Sequence, residues 1–245
     1  MNSQFALTKT KTTWGYTIPV LDETKLVKTA FSTKVGPVYK GDKISAFKFC
    51  NEMGIDPDDI AFCGQVHGNK VVTTCDKHIE TADGIMTDKG GIALVTFYAD
   101  CVPLYFLDTV NKAIAISHAG WRGTTLHIGA NTLYAMNGAY GTQPDDCIVV
   151  IGPSIGKCCF EVDYPVAEEF RQTFARIDDI LDYRGHGKYH IDLPEANASL
   201  LRECGVLEEN IYKSNICTSC TSHILFSYRS EKGTNGRMAA VIMLV

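Results

Sequence analysis

Apolar and polar positions alternate between two periods along the chain, one fitting strands and one fitting helices. Short apolar runs bounded by turn residues predict strands over 14–19, 70–74, 92–97, 147–151, 211–216 and 237–245. The last is hydrophobic enough to lie in the centre of a sheet. Helical spacing predicts a helix over 42–53, with Ile44, Phe47, Phe49 and Met53 as its apolar positions and Gly54 as its stop. A second helix is predicted over 124–140, carrying Leu126, Ile128, Ala130, Leu133 and Met136. The clearest amphipathic pattern spans 164–180, with Val166, Phe170, Phe174 and Ile177 on one side. A further helix over 193–204 has Pro194 at its start, where the missing N–H is harmless, and Gly205 at its end.

The connections read as a helix or turn over 22–30, a strand end at 31–36 opening into a Gly/Pro loop, a turn or short helix at 56–59, a turn-rich segment at 81–88 and a loop at 184–188. Strand and helix signals are interleaved, and no linker, repeat or low-complexity segment interrupts them. A single domain over 1–245 is therefore expected.

Two apolar runs in the middle of the chain carry polar interruptions. Asp100-Cys101 breaks the run from Tyr98 to Asp108, and the run beginning at Ile114 ends in His118-Ala-Gly-Trp-Arg-Gly123. Polar side chains at the ends of buried strands cost stability and persist where chemistry needs them. Cys101 and His118 are either two ligands of one metal or a nucleophile and its base. His67, in Gln65-Val-His-Gly-Asn69, is a third metal-capable side chain at a junction. A Cys-His-His set matches the three protein ligands typical of catalytic zinc, while a buried cysteine with two hydrogen-bonded histidines is the plainer alternative.

Composition narrows the classes. A net charge of −5 argues against a nucleic-acid binder but not against a small anionic substrate. The N-terminus lacks a basic region followed by an apolar core, and no apolar run is long enough to span a bilayer, so a cytoplasmic protein without membrane partners is expected. The 10 cysteines are irregularly spaced and several sit in apolar runs, which predicts ordinary thiols in a reducing compartment. Cys217-Thr-Ser-Cys220 has C-x-x-C spacing, but a lone pair without a second one is read as neither a redox motif nor structural zinc. His186 and His190 flank a glycine loop, and His78, His127 and His223 are read as ordinary residues.

Several motifs together resemble the YfiH-type laccase-domain family. They are Gln65-Val-His-Gly68, Ala82-Asp-Gly84, Ala99-Asp-Cys-Val-Pro103, His118-Ala-Gly-Trp-Arg-Gly123, Ile151-Gly-Pro-Ser-Ile155, Cys159-Phe-Glu-Val162, and Phe226-Ser-Tyr-Arg229 with Gly236-Arg237. The resemblance implies an α+β fold of mixed β-sheets packed with outer helices. It also implies one zinc ion held by His67, Cys101 and His118.

The activity implied is phosphorolysis of purine nucleosides (adenosine, inosine, guanosine, methylthioadenosine), with adenosine deamination beside it. Purine nucleosides and phosphate are then the partners. Arg122 and Arg229 lie inside matched motifs and lead as anion contacts, with Lys34 and Arg237 behind them. Asp100 is a candidate general base, and Gln65, Ser32 and Ser227 are candidate substrate contacts. For Asp83, turn capping is favoured over orienting a ligand. Glu161 is read equally as a helix-start or a catalytic carboxylate.

At Phe31-Ser-Thr-Lys34 this chain carries lysine where family members often carry arginine, which loses the planar bidentate fork. Three rivals remain at this stage. One is a copper polyphenol oxidase, since a Cys-His-His set also accepts copper. Another is a metal-free cysteine hydrolase using Cys101, His118 and Asp100. The last is a role in cell-envelope precursor editing.

Overall fold

The computed structural model describes residues 5–10, 12–35, 43–74, 78–79 and 81–245. Gly36 and Pro37 of the expected loop, and position 42 of the expected first helix, lie outside them. Two mixed sheets face each other. The first has the strand order β1 (Ala6–Lys9), β2 (Trp14–Thr17), β3 (Val27–Ser32), β16 (Met238–Leu244), β8 (Ile92–Tyr98), β4 (Asp59–Cys63) and β6 (His78–Ile79). The second runs β15 (Ile211–Lys213), β11 (Cys147–Ile151), β9 (Val102–Asp108), β10 (Ala113–Ala119), β7 (Gly84–Thr87) and β5 (Val71–Thr73). A small sheet of β12 (Glu161–Asp163), β14 (Lys188–Ile191) and β13 (Leu181–Gly185) flanks them.

The period of two explains the layering. On β16, Met238, Ala240, Ile242 and Leu244 enter the core between the sheets, while Ala239, Val241 and Met243 face the other way. That outer face is covered by α2 (Lys43–Glu52) through Ala46, Phe49 and Cys50. On the second sheet, Tyr105, Leu107, Ile114 and Ile116 point into the shared core. Leu104, Phe106, Ala115 and Val149 point outward, beneath α4 (Ile128–Tyr140), α5 (Tyr164–Thr173) and α6 (Leu193–Glu203). Strands covered on both faces read as continuous apolar runs, which is why β9, β10 and β16 stand out in the sequence. As expected, β16 is central, pairing antiparallel with both β3 and β8. Among the described residues, no helix is long and apolar enough to cross a membrane.

Six readings of local structure are corrected. Residues 27–30, expected in a helix or turn after the short α1 (Pro19–Asp22), belong to β3. The turn-rich 81–88 segment contains β7, whose four residues are too short to show a period. The helix expected over 124–140 is two: α3 (Trp121–Thr125) ends, His127 turns left-handed at φ 61°, and α4 begins, leaving Leu126 exposed. The helix expected over 164–180 stops at Thr173, because Phe174 turns extended and stays buried by stacking on Phe170 at 5.6 Å. The loop at 184–188 is the tip of the β13–β14 hairpin, with Gly185, His186 and Gly187 all at positive φ. On α2, Ile44 is 84% exposed, so the buried stripe is Ala46, Phe49 and Cys50 instead.

Candidate metal centre

Three junctions deliver three side chains to one point. Cys101 follows the turn from β8 to β9, His118 lies near the end of β10, and His67 sits in the loop between β4 and β5. Their ligand atoms all lie within 4.8 Å of one another, and the two imidazole rings meet edge to face with centroids 4.8 Å apart.

Each junction is held by identifiable bonds. Gln65 extends the edge of β8: its amide Nε2 donates to the Phe97 carbonyl at 2.7 Å and its Oε1 accepts the Phe97 N–H at 2.8 Å. The loop then runs through left-handed backbone at Gln65 (φ 45°) and His67 (φ 61°). Asp83 keeps it there. Its Oδ2 accepts the N–H groups of Val66 (3.1 Å) and Gly68 (2.7 Å), and its Oδ1 accepts that of His67 (2.9 Å).

The same Oδ1 lies 2.9 Å from Nδ1 of His118, which is 3% exposed. Asp83 therefore caps not its own turn but the distant 65–68 loop, and it also orients the His118 imidazole. With Nδ1 committed, Nε2 of His118 is the nitrogen left for a metal, an arrangement that fixes both tautomer and ring orientation. Gly120 follows, and here a side chain would crowd the cluster. A Cβ at this position would stand 3.2 Å from the Cys101 Sγ and 3.2 Å from Cδ2 of His67.

Asp100, at φ 90°, is strained backbone held from three sides. Thr218 Oγ1 donates to its Oδ1 at 2.6 Å, the Arg229 N–H donates to its Oδ2 at 2.7 Å, and the Ile155 N–H donates to its carbonyl at 2.8 Å. Its carboxylate thus fastens the turn that presents Cys101.

Charge in the cluster is set by the neighbours. Burial pushes the Cys101 thiol up, but the charge and hydrogen bond of His118, with His67 added, bring it down to about 6. Burial works against an imidazolium at His118, yet the Cys101 thiolate and Asp83 carry it up to about 9. Burial likewise raises Asp83, and its bonds to His118, Gly68 and His67 more than offset this, leaving it below the usual carboxylate range. A thiolate and two imidazoles, one backed by a carboxylate, suit a borderline-soft divalent ion such as zinc.

The cluster forms the floor of a cleft of about 590 Å³, walled by Phe97, Ile155, Phe160, Trp121 and Tyr228, with Arg122, Arg229 and Arg237 on it. The Arg122 guanidinium stacks 4.3 Å from the Trp121 ring. Among the described residues it has no carboxylate or carbonyl partner. Arg229 is more committed, donating to the Cys159 and Glu161 carbonyls at 2.8 Å each. Arg237 donates to the carbonyls of Thr234 and Gly236, also at 2.8 Å each.

Other expected contacts stand elsewhere. Lys34 pairs with Glu231 at 3.3 Å and is not part of the cleft wall. Gln65 lines the cleft, but Phe97 occupies both ends of its amide. Ser227 is fully buried and accepts the Ser230 N–H at 3.2 Å. Ser32 is fully buried too, its Oγ accepting the Ala239 N–H at 2.7 Å across the β3–β16 pair. A Ser32→Ala variant should lose about 1–3 kcal/mol in urea unfolding, the cost of stranding a buried N–H, with metal content unchanged. Glu161 lies on β12 facing His190 at 3.8 Å, away from the cluster. Phe160 and Tyr228, which sequence reasoning passed over, sit inside two of the recurring motifs. Tyr228, 61% exposed beside an arginine, carried the clearer signal.

The chain is similar in sequence and fold to known proteins. The sequence profile of a family described as multi-copper polyphenol oxidoreductase laccase matches residues 45–245. The chain is 38% identical over 193 residues, 74% of its length and 70% of the relative's, to purine nucleoside phosphorylase YlmD of Geobacillus stearothermophilus. It is 36% identical over 166 residues, 66% of its length and 38% of the relative's, to purine nucleoside phosphorylase LACC1 of Homo sapiens. Among solved structures, the hypothetical protein YfiH of Bacillus licheniformis superposes with a TM-score of 0.90 at 30% identity, covering 100% of both chains. The profile spans most of the sequence and the fold matches from end to end, so the chain belongs to the multi-copper polyphenol oxidoreductase laccase family.

Proposed function

We propose that this chain is a zinc-dependent purine nucleoside phosphorylase, converting adenosine, inosine, guanosine or methylthioadenosine and phosphate to free base and ribose 1-phosphate, with adenosine deamination at the same site. The observation that carries the reading is the His67, Cys101 and His118 cluster at the floor of a cleft that offers both aromatic faces and arginines. The names of the curated relatives supply the substrate class.

A zinc ion would be held by His67, Cys101 and His118, and would supply a Lewis acid to the cleft. The chain's own groups do the rest. Phe160 and Tyr228 present ring faces on which a purine can stack. Arg122 has donors to spare for phosphate, and its stacking on Trp121 holds the guanidinium plane in place. As a phosphate oxygen bonds to the ribose C1′, the bond from C1′ to the purine nitrogen breaks and its electron pair leaves with the base. Fixed cationic donors stabilise both anions. Asp100, with each oxygen already accepting a bond, acts by positioning Cys101 and the Arg229 segment rather than as a free base.

The copper oxidase reading gains nothing from the described residues. Multicopper electron transfer draws on several histidine-rich sites, and the chain has 7 histidines with no His-x-His pair. The decisive test is incubation of zinc-quantified protein with adenosine and inosine, with and without phosphate. Free base is expected only with phosphate, and inosine from adenosine in either case. Absence of base release from the wild type would sink the proposal. Arg122→Ala should raise the KM for phosphate by about tenfold, the loss of one charge-assisted contact, with zinc content unchanged. A KM shift for the nucleoside alone would remove Arg122 from the phosphate role.

A further inference from the structure

A second cluster of thiols lies apart from the first. Cys158 and Cys159 sit in the turn between β11 and β12, and Cys217 and Cys220 in the turn after β15. Parallel pairing of β11 with β15 aligns the two chain segments, and a bridge between Ser154 and Cys217 continues it. The Ser154 N–H donates to the Ile216 carbonyl and the Thr218 N–H to the Ser154 carbonyl. The four Sγ atoms consequently lie within 4.8 Å of one another. The second pair that C-x-x-C lacked in the sequence is supplied by the fold.

From this arrangement we infer that Cys158, Cys159, Cys217 and Cys220 bind a structural zinc ion as four thiolates, a site separate from the His67, Cys101 and His118 centre. Zinc–sulfur bonds of about 2.3 Å in a tetrahedron put sulfurs about 3.8 Å apart. Sγ of Cys220 lies 3.5 Å from Sγ of Cys158 and 3.5 Å from that of Cys159, close to that edge length.

The backbone is also arranged for thiolates. The Gly156 N–H donates to the Cys217 Sγ at 3.2 Å, and the Cys220 N–H points at the same sulfur. Such donors spread the negative charge of a metal-bound thiolate, as hydrogen bonds behind a ligand do generally. The Arg229 guanidinium is bonded to the Cys159 carbonyl, which ties the Cys158-Cys159 turn to the 229 segment.

The ion would join the two segments that build one side of the cleft. Phe160 follows Cys159 directly, Thr218 and Arg229 hold Asp100, and Arg229 ties back to the Cys159 and Glu161 carbonyls. Clipping the two turns together fixes this wall against β9.

The test is zinc per chain, by elemental analysis of reduced protein dialysed against a weak chelator, together with the sulfur and nitrogen shell from X-ray absorption. Wild type should hold two zinc ions. The double variant His67→Ala/His118→Ala, which leaves all four cysteines intact, should hold one, with an all-sulfur shell, and should give the intense visible absorption of tetrahedral cobalt thiolate when loaded with Co²⁺. Cys217→Ser/Cys220→Ser should also hold one, now with mixed sulfur and nitrogen ligands. If that variant does not fold, the histidine variant decides alone. One zinc in the wild type and none in the histidine variant would overturn the inference. So would a residual ion with nitrogen or oxygen ligands, or a disulfide at Cys220 in place of metal.

Discussion

Cys101→Ala is expected to lose the cleft metal and to lower nucleoside cleavage by at least about a thousandfold, the loss of several kcal/mol of Lewis-acid stabilisation. Both effects follow from one geometry. Cys101 supplies the only thiolate of the cleft cluster, with His67 and His118 close enough to share an ion with it. Its low thiol pKa, about 6, would equally suit a nucleophile. A chelator separates the two roles. If Cys101 is a ligand, a strong chelator abolishes wild-type turnover and added zinc restores it, while alkylation of the metal-free protein prevents that restoration. Full turnover by metal-free wild type, still sensitive to alkylation, would turn the site into a cysteine hydrolase.

The second large effect belongs to Asp83, which touches no substrate. Asp83→Asn keeps the shape but replaces one accepting oxygen with an N–H₂ group, and all four of its present partners are nitrogens. Whichever way the amide turns, at least one backbone N–H or Nδ1 of His118 faces another donor. Zinc affinity should fall by roughly 10–100-fold, the usual result of removing the carboxylate behind a ligating histidine, and unfolding stability should fall by about 1–3 kcal/mol. Competition with a zinc-selective dye measures the first and urea unfolding the second. Activity at saturating zinc should recover most of its wild-type value. Unchanged zinc affinity would reduce Asp83 to a turn cap.

What was readable in the sequence tracks what is local. The buried strands β9, β10 and β16 announce themselves because both faces are covered and most positions are apolar. The polar interruptions at Asp100-Cys101 and at His118 were visible for the same reason, since they break those runs. Element ends were less readable. Nothing in the residues around His127 marks the left-handed turn there that separates α3 from α4.

Long-range partnerships were the least legible. Ser32 was a candidate substrate contact, yet it is buried and β16 brings the Ala239 N–H to it. Gln65 and Ser227 were nominated for ligands and are taken by backbone groups. Thr-Ala-Asp-Gly at 81–84 looks like a turn and is one, so its second task at His118 left no separate trace. Cys158 and Cys159 are brought to Cys217 and Cys220 by strand pairing across distant segments, which no spacing rule encodes.

The central place of β16 also orders events during synthesis. Its two neighbours, β3 and β8, leave the ribosome long before it does, and in the finished sheet they are joined only through it. Until β16 arrives, both carry unpaired apolar edges, the condition under which nascent chains recruit chaperones or aggregate. The first sheet therefore closes late, through contacts of high sequence separation that slow folding. Disruption of β16 does more than fray an edge: it divides the sheet into two parts, neither of which has a complete core.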